Sequence, residues 1–80
     1  MNSDAIYARL TDILRDVFDD DDLIASADLT ADDVDGWDSL SHLRLVMTVQ
    51  KTFGIKFSAA ETGGLKRLGD LASLIGAKLG

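Results

Sequence analysis

The chain has 80 residues and a net charge of −6, and its length predicts a single small domain spanning residues 1–80. Its composition, 46% hydrophobic and 28% charged, is ordinary for a globular domain. With no cysteine and one histidine, it has no disulfide, thiol nucleophile or multi-histidine metal site, and with no long apolar run or visible signal peptide we expect a cytoplasmic protein without a membrane span. Residues 1–38 carry twelve Asp and two Arg, a balance of −10, whereas residues 39–80 carry +4, so no basic stripe is available for nucleic acid.

The first predicted element is an amphipathic helix from Ser3 to Phe18. Its apolar residues recur at spacings of three and four, which places them on one face: Ile6, Leu10, Ile13, Leu14 and Val17. Asn2 or Ser3 can cap its start. Residues 19–37 then lose this period and are rich in Asp, with a run of four from Asp19 to Asp22. We predict a long ordered loop whose few apolar residues attach it to the core.

A second helix is predicted from Asp38, a good N-cap residue, to about Phe53, with Gly54 ending it. A count of 100° per residue puts the polar side chains on one side and gives the helix a wide apolar arc. That arc contains Leu43, Val46, Met47, Val49 and Phe53. We therefore expect this helix to be central and buried on more than one side.

The rest of the chain predicts an extended connector and two further helices. Ile55-Lys56-Phe57 is the connector, and Ser58-Ala59-Ala60-Glu61 matches a capping box that starts a short helix ended by Gly63-Gly64. The last helix is predicted to begin near Gly69-Asp70 and to end near Lys78. The fold class is thus all-α: a small bundle of three longer helices and one short helix, with a long loop between helices one and two.

The chemistry is concentrated in Gly36-Trp37-Asp38-Ser39-Leu40. This stretch places Ser39 at the first position of the second helix, where backbone N–H groups lack intrahelical partners and the helix dipole is positive. A phosphodiester on the Ser39 hydroxyl would be stabilised by both effects.

Asp38-Ser39-Leu40, with Gly36 before it and a helix ending Phe53-Gly54-Ile55 after it, resembles the acyl carrier proteins. The resemblance covers essentially the whole chain, including Leu68-Gly69-Asp70-Leu71 at the last helix. It implies a carrier, not an enzyme: a phosphopantetheinyl transferase attaches a 4′-phosphopantetheine arm to Ser39, helped by the acidic Asp38, and the arm holds acyl groups as thioesters.

The resemblance also implies roles for side chains around Ser39. Acyl-loading and acyl-transferring enzymes would contact the second helix at Leu40, Ser41, Arg44, Met47 and Lys51. An acyl chain would fold into a pocket lined by Leu43, Val46, Val49, Phe57 and Leu65. We expect a monomer with no metal site.

Departures from the family pattern indicate a specialised, free-standing carrier in a lipid or secondary-metabolite pathway. The helix after the serine is strongly acidic in common fatty-acid carriers, whereas the matching positions here include Ser41, Arg44 and Lys51. Arg67 replaces a usual threonine cap, and Trp37 stands where a small residue is common. An aminoacyl or peptidyl carrier, or an unmodified helical adaptor with the same fold, remains an alternative.

Other interpretations of the sequence are weaker. Asp38, Ser39 and His42 do not make a triad, because the acid must lie behind the histidine, on the far side from the serine; we expect His42 to be a half-buried structural residue near Val49 and Phe53. A calcium-binding loop over residues 31–42 is not favoured: its motif matches at Asp33, Asp35 and Gly36, but Ala31 stands at its first ligand position and His42 at the position of its bidentate Glu. Trp37 is interpreted as an anchor for the loop, and Met47 as either core or an exposed contact.

Overall fold

The computed structural model describes residues 2–79, which form four α-helices and no strand. The helices are α1 (Ser3–Phe18), α2 (Ser39–Phe53), α3 (Ala59–Gly63) and α4 (Leu68–Leu79), and one turn of 3₁₀ helix, Ala31–Asp33, lies in the loop between α1 and α2. The all-α bundle of three longer helices and one short helix is therefore confirmed. Among residues 2–79 every helix is too short or too polar to cross a bilayer.

The core is formed where α1 packs against both α2 and α4. Each of the three helices contributes the apolar side of its surface, and the side chains that are completely or almost completely buried are Leu10, Leu14, Leu45, Val49, Leu68, Leu71 and Ile75. Each contributes about 1.5–3 kcal/mol by leaving water. A core this thin leaves the ends of α2 and the whole of α3 near the surface.

Local sequence signals set the helix ends. The Asn2 side chain accepts a hydrogen bond from the Ala5 amide at 2.8 Å, and Gly54 ends α2 in the left-handed conformation with φ of 67°. The predicted capping box at Ser58 is present, with Glu61 bonded back to the Ser58 amide. The starts of the two later long helices lie within one residue of their predicted positions: α4 begins at Leu68, one residue before Gly69, and α2 begins at Ser39, with Asp38 as its N-cap.

The long loop is attached to the bundle at several points along its length, as an ordered loop requires. The guanidinium Nε of Arg15 on α1 donates to the Leu23 carbonyl at 2.8 Å. The Gly69 amide at the start of α4 donates to the Ala27 carbonyl at 3.0 Å, and the side chain of Val34 is buried. These attachments fix the path of the chain as it approaches α2.

Candidate functional site

Ser39 is the first residue of α2 and is exposed to solvent. Asp38 before it is the N-cap, and its Oδ1 accepts a hydrogen bond from the Ser41 amide at 2.9 Å. This backbone bond lowers the pKa of Asp38 below its usual range, because it stabilises the carboxylate. Ser39 therefore follows a carboxylate that is held at the N-cap, and it stands at the positive end of the α2 dipole.

A tight turn leads the loop into α2. Gly36 has φ of 84°, which a residue with a side chain adopts only under strain. The Asp38 amide donates to the Gly36 carbonyl at 3.0 Å, and the Trp37 amide donates to the carbonyl of buried Val34 at 3.3 Å. The turn is thus fixed by its own backbone hydrogen bonds, and Ser39 follows it at the exposed start of α2.

Trp37 anchors this turn through its indole ring, as predicted. The ring centroid lies 5.3 Å from that of Phe18 and 6.3 Å from that of His42, on which it stacks. The indole Nε1–H donates to Nδ1 of His42 at 3.3 Å, an arrangement that requires His42 Nδ1 to be unprotonated. His42 is half-buried and bonded to Trp37, and the Asp38 carboxylate is bonded to Ser41, so the described residues contain no Asp–His–Ser relay.

Two neighbouring spaces lie near the start of α2, and Ser39 lines one of them. The outer groove, open to solvent with a volume of about 450 Å³, is lined by Trp37, Asp38, Ser39, His42, Thr62, Gly63 and Leu65. A smaller, half-open pocket of about 40 Å³ is lined by Trp37, His42, Leu45, Leu65, Lys66, Arg67, Leu68 and Leu71. Trp37, His42 and Leu65 line both spaces, so the small pocket adjoins the outer groove.

The predicted pocket residues only partly fit this geometry. Leu65 lines both spaces, whereas Val46 and Val49 are buried in the core and Phe57 is half-buried beside it. The inward placement of Leu43 is wrong, because its side chain is 54% exposed. Sequence reasoning missed three residues that line the smaller space, Leu45, Leu68 and Leu71. For Leu45 a signal was available, because it stands three residues after His42 and four before Val49, on the buried side of the helix.

The exposed face of α2 combines apolar and basic side chains. Leu40, Leu43 and Met47 are 65%, 54% and 59% exposed. Arg44 and Lys51 are exposed on the same side of the helix, and Ser41 is half-buried at its edge. Met47 is thus an exposed side chain rather than core, and α2 contains no acidic residue.

The acidic loop has few fixed partners. In residues 2–79 the ion pairs are Arg67 with Asp28 at 3.7 Å and Lys78 with Glu61 at 3.1 Å. The Asp33 carboxylate accepts from the Thr30 amide at 3.0 Å. No three acidic or histidine side chains in this part of the chain are grouped as a metal site would need.

Comparison with known proteins places this geometry in a family. No family model matches the chain, and no curated protein sequence matches it. Among solved structures, the chain is similar to a holo acyl carrier protein from Geobacter metallireducens determined by solution NMR, with 43% identity and a TM-score of 0.87 over 92% of this chain and 85% of that one. An identity this high over nearly the whole of both chains shows common descent as well as a common fold. The chain therefore belongs to the acyl carrier proteins, and it is a carrier rather than an enzyme.

Proposed function

We propose that the chain carries acyl groups on a 4′-phosphopantetheine arm attached to the hydroxyl oxygen of Ser39. The observation that carries the proposal is the exposed Ser39 at the start of α2, next to the outer groove, in a chain 43% identical to a holo carrier. When bound, the arm supplies a terminal thiol that holds acyl groups as thioesters. The chain needs no cysteine of its own for this role.

The side chains around Ser39 suit the attachment. In the attachment reaction the Ser39 oxygen bonds to the phosphorus of coenzyme A that carries the pantetheine arm. The bond from this phosphorus to adenosine 3′,5′-bisphosphate breaks, the bisphosphate leaves, and the Ser39 hydroxyl proton is released. The phosphodiester would lie at the N-terminus of a 15-residue helix, where the dipole favours an anion. The exposed Asp38 carboxylate stands next to this phosphodiester in sequence, where the transferase and the magnesium ion of the transferase can reach it.

We propose further that this carrier works with dedicated partners in a specialised pathway, as a cytoplasmic monomer. The face of α2 formed by Leu40, Leu43, Arg44, Met47 and Lys51 offers apolar area together with positive charge. Because complementary charge governs association rate and partner choice, a dedicated enzyme would present a neutral or acidic surface there. Ser41 at the edge adds a polar contact.

Intact mass spectrometry tests the attachment. The purified chain is incubated with coenzyme A, magnesium and a broad-specificity phosphopantetheinyl transferase, and one phosphopantetheinyl group is expected. Ser39→Ala should fold and gain no mass. Ser41→Ala, a change two residues further along the same helix, should be modified like the wild type. No gain by the wild type would favour an unmodified adaptor, and modification at Ser41 would overturn the assignment of Ser39. Aminoacyl rather than acyl loading by a partner ligase would change the cargo class alone.

A further inference from the structure

The chain has one tryptophan and one histidine, and their side chains meet beside the start of α2. The indole Nε1–H of Trp37 donates to Nδ1 of His42 at 3.3 Å, and the planes of the two rings are 23° apart. Trp37 belongs to the turn that leads into α2, whereas His42 is part of the helix. This Trp37–His42 contact therefore attaches the turn to α2 through side chains.

The hydrogen bond in this contact exists in only one protonation state of the imidazole. Neutral imidazole has one N–H group and one bare nitrogen, and the bare nitrogen here is the acceptor Nδ1 of His42. Imidazolium has N–H groups on both nitrogens, so the indole N–H would face a second donor and lose its acceptor. Histidine is the side chain that ordinarily changes its charge between pH 5 and 8.

The charged side chains around His42 differ from it in this respect. In the two spaces that His42 lines, these side chains are Asp38, Lys66 and Arg67. Asp38 stays a carboxylate, because the hydrogen bond from the Ser41 amide lowers its pKa, and lysine and arginine ordinarily lose a proton only near pH 10 or above. From α1, the contact receives the uncharged ring of Phe18, 5.3 Å from the indole.

Two acids are bonded to the basic segment that faces His42. Asp28 pairs with Arg67 at 3.7 Å, and hydrogen bonds from the Lys66 and Arg67 amides lower the pKa of Asp70. Carboxylic acids ordinarily titrate near pH 4. A change at the indole between pH 8 and pH 5 therefore reports the proton of the imidazole.

The indole has no second hydrogen bond to fall back on, because its ring carries a single donor and no acceptor. Its packing against Phe18 is unaffected by the proton. The backbone bonds of the turn are local: the Trp37 amide donates to the Val34 carbonyl at 3.3 Å, and the Asp38 amide donates to the Gly36 carbonyl at 3.0 Å. Protonation of the imidazole thus removes the hydrogen bond that joins the Trp37 side chain to α2.

We infer that the Trp37–His42 contact is a pH-sensitive attachment of the turn before Ser39: neutral His42 holds the indole, and protonated His42 releases it. Trp37 stands two residues before the exposed Ser39, so the segment that leads to the serine is held more firmly at pH 8 than at pH 5. The inference concerns the unmodified chain and does not depend on the proposed function.

The test follows the indole N–H of the unmodified chain by NMR, where one tryptophan gives one indole signal. Exchange of this N–H with solvent is measured from pH 8 to pH 5 for the wild type and for His42→Phe, which has no acceptor. The ratio of the two rates at each pH cancels the pH dependence of the exchange chemistry. At pH 8 the wild-type indole should exchange roughly two- to tenfold more slowly, the factor for one net hydrogen bond. The ratio should approach one as the ring signals of His42 report its protonation.

A second variant keeps an acceptor that does not titrate. His42→Asn places Oδ1 at the same distance along the side chain as Nδ1, so its indole should stay protected relative to His42→Phe over the whole range. It also serves if His42→Phe does not fold, because the wild type should then lose protection relative to His42→Asn in acid. The amide signals of the buried Leu10 and Ile75 should keep their positions, which shows that the core stays folded.

Three outcomes would overturn the inference. The first is a wild-type indole that exchanges as fast as that of His42→Phe at pH 8. The second is protection that persists after the ring signals show that His42 is protonated. The third is a His42→Asn indole that loses protection in acid as the wild type does, since another group would then be responsible. Attachment of the arm to Ser39 is tested separately by intact mass and is unaffected by any of these results.

Discussion

The amide of Gly69 donates to the carbonyl oxygen of Ala27 at 3.0 Å, and the two residues touch so closely that no side chain fits between them. A Cβ built on Gly69 would lie 2.9 Å from that oxygen and 3.1 Å from the Ala27 Cβ. This contact joins the start of α4 to the middle of the long loop. An otherwise unpaired amide at the helix start is thereby satisfied by the loop backbone.

Gly69→Ala should destabilise the fold despite the better helix propensity of alanine. Overpacking against backbone costs about 1–3 kcal/mol, which exceeds the gain of less than about 1 kcal/mol from replacing glycine near a helix start. Gly76→Ala in the same helix is the matched control, because its Cβ would make an ordinary 3.7 Å contact with Ile6; it should stabilise by about 0.5–1 kcal/mol. Urea unfolding measures both, and equal effects of the two changes would contradict the close contact.

Asp70→Asn should reduce the sensitivity of the fold to acid. The Asp70 carboxylate accepts hydrogen bonds from the Lys66 and Arg67 amides, each at 3.1 Å, and these lower its pKa. A folded-state pKa below the unfolded value gives stability that is complete above about pH 4–5 and is lost as the pH falls through the folded value. We expect Asp70→Asn to melt lower at pH 7 and to lose less on acidification to pH 3.

The control for this experiment is Asp12→Asn, a change at an exposed position on α1. Its melting temperature should follow the wild-type pH curve closely. The prediction is contradicted if the melting temperatures of Asp70→Asn and the wild type fall in parallel as the pH is lowered. The hydrogen bonds from the Lys66 and Arg67 backbone amides would then stabilise the carboxylate no more than the side-chain amide of the variant.

Salt or magnesium should raise the melting temperature of the wild type. The run from Asp19 to Asp22 takes part in no ion pair among residues 2–79, and Asp32, Asp33 and Asp35, later in the same loop, add negative charge to the same half of the chain. Repulsion among exposed acids is screened as ionic strength rises. Asp21→Asn/Asp22→Asn should melt higher at low salt and respond less to added salt. A flat or falling wild-type response would contradict the repulsion.

Reversing the charge on α2 should improve use of the holo chain by a standard fatty-acid synthesis enzyme. Arg44 and Lys51 are exposed beside Leu40 and Met47, so an enzyme with a basic docking surface meets like charge there. Arg44→Glu/Lys51→Glu should raise the rate of acyl transfer, and more strongly at low salt. The control is Lys56→Glu in the connector after α2, which should leave the rate unchanged. Efficient transfer to the wild type would contradict a dedicated partner.

The helix ends could be predicted because each depends on neighbours in sequence. Asp38 caps α2 through Ser41, and Ser58 pairs with Glu61, so residue type and spacing were sufficient. The 3₁₀ turn at Ala31–Asp33 was not predicted. The available signal was a capping box, with Thr30 three residues before Asp33. It lies in an Asp-rich stretch, which favoured the prediction of a loop without helical turns.

The faces of α2 were harder to predict, because both sides contain large apolar residues. Leu43 and Leu45 differ by two positions, and helical periodicity alone put Leu43 in the apolar arc. The structure exposes Leu43 and buries Leu45 completely, since α1 covers only one side of α2. The contact of Gly69 with Ala27 joins residues 42 positions apart and depends on tertiary packing, so no local pattern encodes it.

The short helix α3 has no buried residue, and this has a consequence for motion. It is held by its own cap at Ser58, by the Glu61–Lys78 ion pair and by the position of Lys78 Nζ, 5.7 Å from the centre of the Phe57 ring. Because local opening costs little where few apolar contacts are lost, the amides of α3 should exchange with deuterium well before those of α1, α2 and α4. Thr62 and Gly63 form one wall of the outer groove, so the groove beside Ser39 can widen while the three-helix core remains folded.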